Sequence, residues 1–324
     1  MKNNRMNPRI GVALLAYNQG KYIDDAIESL RKQTFQDFEV FLIDDGSDDG
    51  FTPQKLESIE YDKITCKFLN KENLGSPERR IQYDRMMKNK YIINFCGDDI
   101  LAPDFFKKTV SFLDRHSDYG AVCTNLKYFH DSIGDSYYEK KYEKNTMKFP
   151  EMLVSCNMLG SSLIRREALE GLNLAWPLKR YYDWNRWNAM LASGWKLGLV
   201  PEALFYYRQL KESLSHTGNM KDEIDFRKEL MKRYSEVYDK EYKKIILELY
   251  LKLAEVDEGK NWLEKQYDSL KNEINRLEGE IKELNKKNKE CEDEKSRLNN
   301  KEYGRGGVLS NINKIIRKYK RGKC

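Results

Sequence analysis

Histidine is scarce in this chain, with three in 324 residues, and the six cysteines at 66, 96, 123, 156, 291 and 324 form no Cys-x-x-Cys pair. That combination argues against a Cys/His zinc site. The scattered cysteines also give no disulfide framework and suit a reduced, cytoplasmic chain. No run of about 18 apolar residues occurs, so no spanning helix is expected. The opening MKNNRMNPRIGVALLAY has a short apolar stretch and no small-residue cleavage site, so it does not read as a secretory leader. Any membrane association is then expected to be peripheral, on the inner face. Lys and Arg number 58 against 52 Asp and Glu, a net charge of +6. The two signs are interspersed up to about residue 300, no Arg/Gly-rich arm appears, and nucleic acid is not expected as a partner.

What the chain does have is alternation. Apolar runs at 10–16, 38–43, 64–69 and 91–95 read as strands. Between them lie helix signals: Ile23, Ala26, Ile27 and Leu30 share one face at i, i+3, i+4 and i+7. Thr52-Pro53 opens a short helix, and Ser76-Pro77 reads as the cap and first turn of another. Pro103-Asp104 opens a helix to about residue 115. Strands alternating with helices predict an α/β fold with a Rossmann-like, parallel sheet and right-handed crossovers. Ligands of such sheets bind beyond the carboxyl ends of the strands. Three polar clusters fall there: Tyr17-Asn18, Asp44-Asp45 and Asp98-Asp99. The last closes YIINFCGDD, where two adjacent carboxylates beside a buried strand call for a positive charge.

From 121 to 208 the pattern is less regular, with short β-like runs at 121–124, 161–165 and 197–200. Trp176, Tyr181, Tyr182, Trp184, Trp187 and Trp195 crowd into one stretch, as core or as faces that stack on sugars and bases. A helix is expected over 183–192, with Asp183 as its cap and Gly194 ending it. Beyond about 219 the chain turns to charged helix. Residues 219–258 are expected to pack on the first domain (1–218), and 259–302 to form a coiled coil. Leu263, Leu270, Leu277, Leu284, Cys291 and Leu298 repeat every seven residues, with Tyr267, Ile274, Ile281, Asn288 and Lys295 four residues after each of the first five. Ile at a, Leu at d and one Asn at a predict a parallel homodimer. The tail, 303–324, alternates Ile and Leu with Lys and Arg. It suits either an anionic membrane surface or plain solvent.

These residues also carry a resemblance. IGVALLAYNQGKYIDDAIESLRKQTFQDFEVFLIDDGSDDG resembles the opening of family 2 glycosyltransferases, which have the GT-A fold, and INFCGDD is similar to that family's DxD element. GSSLIRREAL and YYDWNRWNAMLASGWKLGLVPEALFYYR are similar to its acceptor-side half, so the likeness runs over about residues 8–215.

The resemblance implies an inverting transfer of a sugar from a UDP-sugar donor to a hydroxyl of a glycan, lipid-linked or protein acceptor, as in surface polysaccharide synthesis. It implies that Asp45 accepts the uracil N3–H, with Asp44 and the backbone of Ala16, Tyr17 and Asn18 assisting. The alternative for Asp44 and Asp45 is an Asx-type turn around Gly46. Asp99 would bind Mn²⁺ or Mg²⁺, hard cations that take carboxylates and phosphates together. Asp98 would reach the ribose, or the metal through water. Of Arg79 and Arg80, at a helix start, one would face the nucleotide and the other solvent. Asp183 would be the general base, here preceded by Tyr182 where many relatives have Glu. Tyr207-Arg208 resembles a closing element that often contains His. Leu210 takes that place, with His216 a distant substitute. Two other classes remain at this point: an inactive glycosyltransferase-like scaffold recruiting partners through the coiled coil, and a nucleotidyltransferase. The intact acids argue against the first. The lack of a Gly-rich basic loop after strand 1 argues against the second.

Overall fold

A computed structural model describes residues 7–175, 180–210, 220–247 and 249, with scattered residues between 276 and 290. The chain divides into two compact units, Met1–Leu249 and Tyr250–Cys324. In the second, the described residues are helical and exposed, Leu284 at 59%. Leu284 apart, the heptad seam that predicts the dimer lies outside the described residues, as do the basic tail, Trp176 and His216. No helix of the described residues is long and apolar enough to cross a membrane.

The first unit begins β1 (Ile10–Ala16), α1 (Ile23–Arg31), β2 (Phe38–Asp44), α2 (Thr52–Ser58), β3 (Ile64–Leu69), α3 (Ser76–Met86) and β4 (Tyr91–Cys96). It continues with β5 (Ile100–Leu101), α4 (Phe105–Arg115), β6 (Tyr119–Phe129), β7 (Tyr138–Lys140), α5 (Glu151–Val154), β8 (Leu163–Arg165), α6 (Tyr182–Ala192), β9 (Lys196–Arg208) and α7 (Met220–Arg233). The strands lie in the order β3-β2-β1-β4-β8-β6-β9-β5, with β7 paired to β6. The first four are parallel, as the alternation predicts. β1 and β4 are covered on both faces, which is why they read as unbroken apolar runs and not as alternating ones. Ile23, Ala26, Ile27 and Leu30 of α1 are all buried against the sheet, each worth about 1–3 kcal/mol.

The other half of the sheet is mixed. β8 is antiparallel to β4 and β6, β5 is antiparallel to β9, and β6 and β9 run parallel. β6 and β9 are eleven and thirteen residues long, far beyond the short runs visible in the sequence. Their register shifts between Tyr119 and Ala121 and on either side of Asn125. Each shift breaks the period-two signal by which a strand is recognised. The expected caps also move. Gly75, at φ 85°, precedes α3 in place of Ser76, and Tyr181, at φ 61°, precedes α6 in place of Asp183. Asp183 therefore sits inside the first turn of α6, where its carboxylate is available for other partners.

Residues 235–247 continue the helical path after α7. Phe226, Leu230, Tyr234 and Ile245 are buried in the core of the first unit, and Phe226 packs on Tyr181 and Trp184 at 4.4 and 4.5 Å between ring centroids.

Candidate active site

Three loops leave the carboxyl ends of β1, β2 and β4 side by side, stitched by backbone bonds. Asp45 N–H donates to the Ala16 carbonyl at 2.9 Å, and Gly97 N–H to the Leu15 carbonyl at 2.8 Å. Asn18, at φ 54°, fastens the first loop to the second. Its side-chain amide donates to Asp48 at 2.7 Å, and its carbonyl oxygen accepts from Asp48 N–H at 3.0 Å. Asn tolerates this left-handed conformation better than most residues. Tyr17 is exposed at the rim.

Asp44 and Asp45 are adjacent but do different things. Asp44 Oδ1 accepts from Ser47 N–H at 3.1 Å and Ser47 Oγ at 2.5 Å, closing the turn over Gly46. At φ +73° and packed against the backbone of Glu72 and Asn73, Gly46 has no room for a side chain. Asp44 thus takes the turn role. Asp45 points away from the turn. It accepts from Leu74 N–H at 3.2 Å, Gly75 N–H at 3.1 Å and the Arg79 guanidinium, all in a buried setting. An ionised carboxylate offers about four acceptor positions, so about one remains beyond these three.

The expectation that one of Arg79 and Arg80 faces solvent is overturned, since both are buried. α3 presents them to different partners because successive positions diverge around a helix. Arg79 holds Asp45. Arg80 Nη1 donates to Asp183 Oδ1 at 2.6 Å and Nη2 to Cys96 Sγ at 3.6 Å, while its buried Nε has no hydrogen-bond partner. One guanidinium therefore spans from the end of β4 to α6.

Asp98 and Asp99 are buried just beyond the end of β4. Their carboxylates and Cys96 Sγ all fall within 4.8 Å of one another. Burial pushes Asp98 up to about 6, with Gln19 and Arg208 working against the shift. Burial, then the neighbouring charge of Asp98, lifts Asp99 well above the usual carboxylate range. Burial likewise raises the Cys96 thiol, against the pull of Arg80. Two buried carboxylates this close, in want of positive charge, suit a hard divalent cation.

That arrangement fixes a pH response. Between about pH 4 and 6 the folded chain keeps protons on Asp98 and Asp99 that the unfolded chain has released. For Asp98 this contribution to stability is complete below the unfolded value near 3.8 and is lost as pH rises through about 6, and for Asp99 it persists to higher pH. A divalent cation bound between the two carboxylates would take the place of those protons as they leave. Saturating Mn²⁺ is therefore expected to raise Tm by about 5–10 °C near pH 7.5 and by far less near pH 5. Equal shifts at the two pH values in a melting scan would show that the cation binds elsewhere.

Arg208 at the end of β9 secures the diaspartate loop, a role the sequence did not single out. Its N–H donates to Asp99 Oδ1 at 3.0 Å and its Nε to the Asp98 carbonyl at 2.8 Å. Nη1 donates to the His130 and Asp131 carbonyls at 2.9 and 2.8 Å, and Nη2 to Asp25 of α1 at 2.6 Å. Tyr22 and Phe129 flank it, 4.6 and 4.4 Å from their ring centroids. The only sequence signal was its place in the closing Tyr207-Arg208 element.

Asp183 completes the site from α6. Arg80 and Arg186 both donate to its Oδ1, at 2.6 and 3.2 Å. Oδ2 takes no hydrogen bond from the described residues and faces Gly160, where an added Cβ would lie 2.5 Å away. The side chain is 31% exposed, the open end of an otherwise buried network. Behind it, Arg186 is fully buried and pairs with Asp84 at 3.3 Å, and Asn94 donates to Asp84 at 2.8 Å. Burial lifts Asp84 despite Arg186. Arg186, Asp84 and Asn94 also escaped the sequence reading, because a buried charge network leaves no periodic trace.

Residues 12–172 match the family model Glycosyl transferase family 2. An uncharacterized glycosyltransferase of Methanocaldococcus jannaschii is 26% identical over 209 residues, covering 62% of this chain and 71% of that protein. Another from Haemophilus influenzae is 29% identical over 215 residues, covering 62% and 65%. The minor teichoic acid biosynthesis protein GgaB of Bacillus subtilis is 24% identical over 223 residues, and there this chain spans only 24% of the relative's length. Among solved structures, S. aureus TarS 1–349 in complex with UDP-GlcNAc superposes with a TM-score of 0.54 at 19% identity, over 65% of this chain and 62% of that one. At that identity the likeness is one of fold, the GT-A fold.

Proposed function

We propose, from the premise that residues 12–172 form a family 2 glycosyltransferase domain, that the chain is a metal-dependent, inverting glycosyltransferase using a UDP-sugar. The observation that carries this reading is the span of Arg80 between the β4 terminus and Asp183. It sets a cation-seeking acid pair and a part-exposed carboxylate on two sides of one crevice. Asp45 supplies its remaining acceptor position to the base, as a uracil N3–H requires. Asp99 would hold Mn²⁺ or Mg²⁺ beside the donor diphosphate, with Asp98 reaching the ribose or the metal through water. When bound, that cation supplies Lewis-acid stabilisation of the departing diphosphate.

The chain's own residues do the rest. Arg80 and Arg186 fix Asp183 through Oδ1, which leaves Oδ2 to accept the proton of an acceptor hydroxyl. A single base acting opposite the leaving group inverts the anomeric carbon, so an α-linked donor gives a β-linked product. TarS, which shares the fold, is solved with UDP-GlcNAc, and this supports a UDP-sugar donor. The acceptor we assign is a glycan, as in surface polysaccharide synthesis. A homodimer through 259–302 and peripheral membrane contact through the basic tail remain parts of the same proposal.

The test is release of UDP from a panel of UDP-sugars in the presence of Mn²⁺. The wild-type chain is expected to bind UDP and hydrolyse at least one donor slowly. Asp99→Ala is expected to reduce that release by about 100-fold or more. If no donor is bound or hydrolysed, or Asp99→Ala releases UDP like the wild type, the proposal fails.

A further inference from the structure

We propose that a ladder of tyrosines across β7, β6 and β9 is the platform on which a carbohydrate acceptor lies, its pyranose faces against the rings. The register builds the ladder. Tyr138 pairs with Tyr128 across β7 and β6, and Tyr128 pairs with Tyr207 across β6 and β9, so three tyrosines stand abreast on adjacent strands. The rings of Tyr128 and Tyr138 are 5.8 Å apart and 18° from parallel. Tyr137 lies 6.4 Å from Tyr128 at 25°, and His130 lies 4.9 Å from Tyr137 at 14°. Tyr207 meets Tyr128 edge-on at 5.6 Å.

Cross-strand aromatic pairs stabilise a hairpin by themselves, and Tyr128 and Tyr207, half-buried, do that. Tyr137 and Tyr138 go beyond that need, standing 56% and 58% exposed. Large exposed aromatic surface in one place marks a binding site more often than a structural one. The exposed parts of Tyr137 and Tyr138 combine apolar ring surface with phenolic oxygens at the rim, which matches a sugar ring with C–H groups on its faces and hydroxyls around its edge.

Continuity with the active site says which ligand this surface takes. Arg208 donates both to the Asp98 carbonyl and to the carbonyl of His130, the ring at one end of the run. Tyr207 directly precedes the residue whose N–H holds Asp99. The platform thus starts one guanidinium away from the diaspartate loop, at the edge of the proposed transfer site. The inference rests on the glycosyltransferase reading above and adds a ligand class and a binding surface to it.

Saturation-transfer NMR with cellotetraose, chitotetraose and maltotetraose, in the presence of UDP and Mn²⁺, tests it. At least one tetraose is expected to bind. Tyr137→Leu and Tyr138→Leu keep apolar bulk but lose the ring, and each is expected to weaken binding about tenfold. Tyr138→Phe, which keeps the ring, is expected to bind like the wild type. The platform is rejected if no tetraose binds, or if the leucine variants bind as the wild type does. It is also rejected if light scattering shows those variants converting a dimer to a monomer, which would assign the rings to a second copy of the chain. UDP binding by the wild type, measured in parallel, separates the two readings: UDP bound with no tetraose bound sinks only the platform, whereas no UDP binding sinks the donor reading.

Discussion

Asp183→Asn is expected to lower kcat by about 10²–10⁴ while leaving UDP affinity close to that of the wild type. The substitution is the smallest that separates holding from reacting. Asn keeps an oxygen at Oδ1, where Arg80 and Arg186 both donate. It replaces Oδ2, the atom facing Gly160, with an amide that cannot accept a proton. The two buried guanidiniums lose a formal counter-charge, so some loss of stability is expected, but Arg186 keeps Asp84 and Arg80 keeps the Cys96 sulfur. Steady-state transfer rates set beside UDP titrations decide the matter. A matched fall in UDP affinity would place Asp183 in donor binding, and an unchanged kcat would remove it from the base role.

The second large effect is expected at Arg208. Arg208→Met should destabilise the first unit by about 3–5 kcal/mol and lower Tm by roughly 10 °C. The guanidinium satisfies the carbonyls of Asp98, His130 and Asp131 at once. Met fills part of its volume between Tyr22 and Phe129 but donates to none of them. A buried carbonyl left without a donor costs about 1–3 kcal/mol. Asp25, half in solvent, rehydrates and adds little. The backbone N–H of residue 208 still reaches Asp99, but the loop it holds has lost its other anchor. The Mn²⁺-induced rise in Tm should therefore shrink together with Tm itself. Arg208→Lys restores one cation without the planar fork and should recover only a minor part of either. A Met variant that melts like the wild type and responds fully to Mn²⁺ would show that the loop is held by other means.

Much of this was legible in the chain itself. β1, β4 and the face of α1 stand out because buried parallel strands and amphipathic helices leave strong, local signals. The polar clusters after β1, β2 and β4 could be placed in one crevice from topology alone. The second half of the sheet resisted for a physical reason. β6 and β9 carry polar residues and register shifts that suit their partners and not a fixed period. The charge network resisted for another. Arg80, Arg186, Asp84 and Asp183 come from α3 and α6, a hundred residues apart in sequence. Nothing local marks Arg80 as buried, since an Arg near the start of a helix ordinarily meets solvent. Only a pairing across the fold makes its burial tolerable. Asp44 and Asp45 show the limit of motif reading most plainly: identical neighbours, one closing a turn and the other buried against Arg79.

Gly160 turns a backbone detail into a measure of clearance. A single methyl group there would come within 2.5 Å of Oδ2, so, if Asp183 is the base proposed above, Gly160→Ala would act as an inhibitor one carbon in size, tethered beside the reacting atom. On that proposal, the bare α-carbon at position 160 would set how near an acceptor oxygen can come to the carboxylate, with no chemistry of its own.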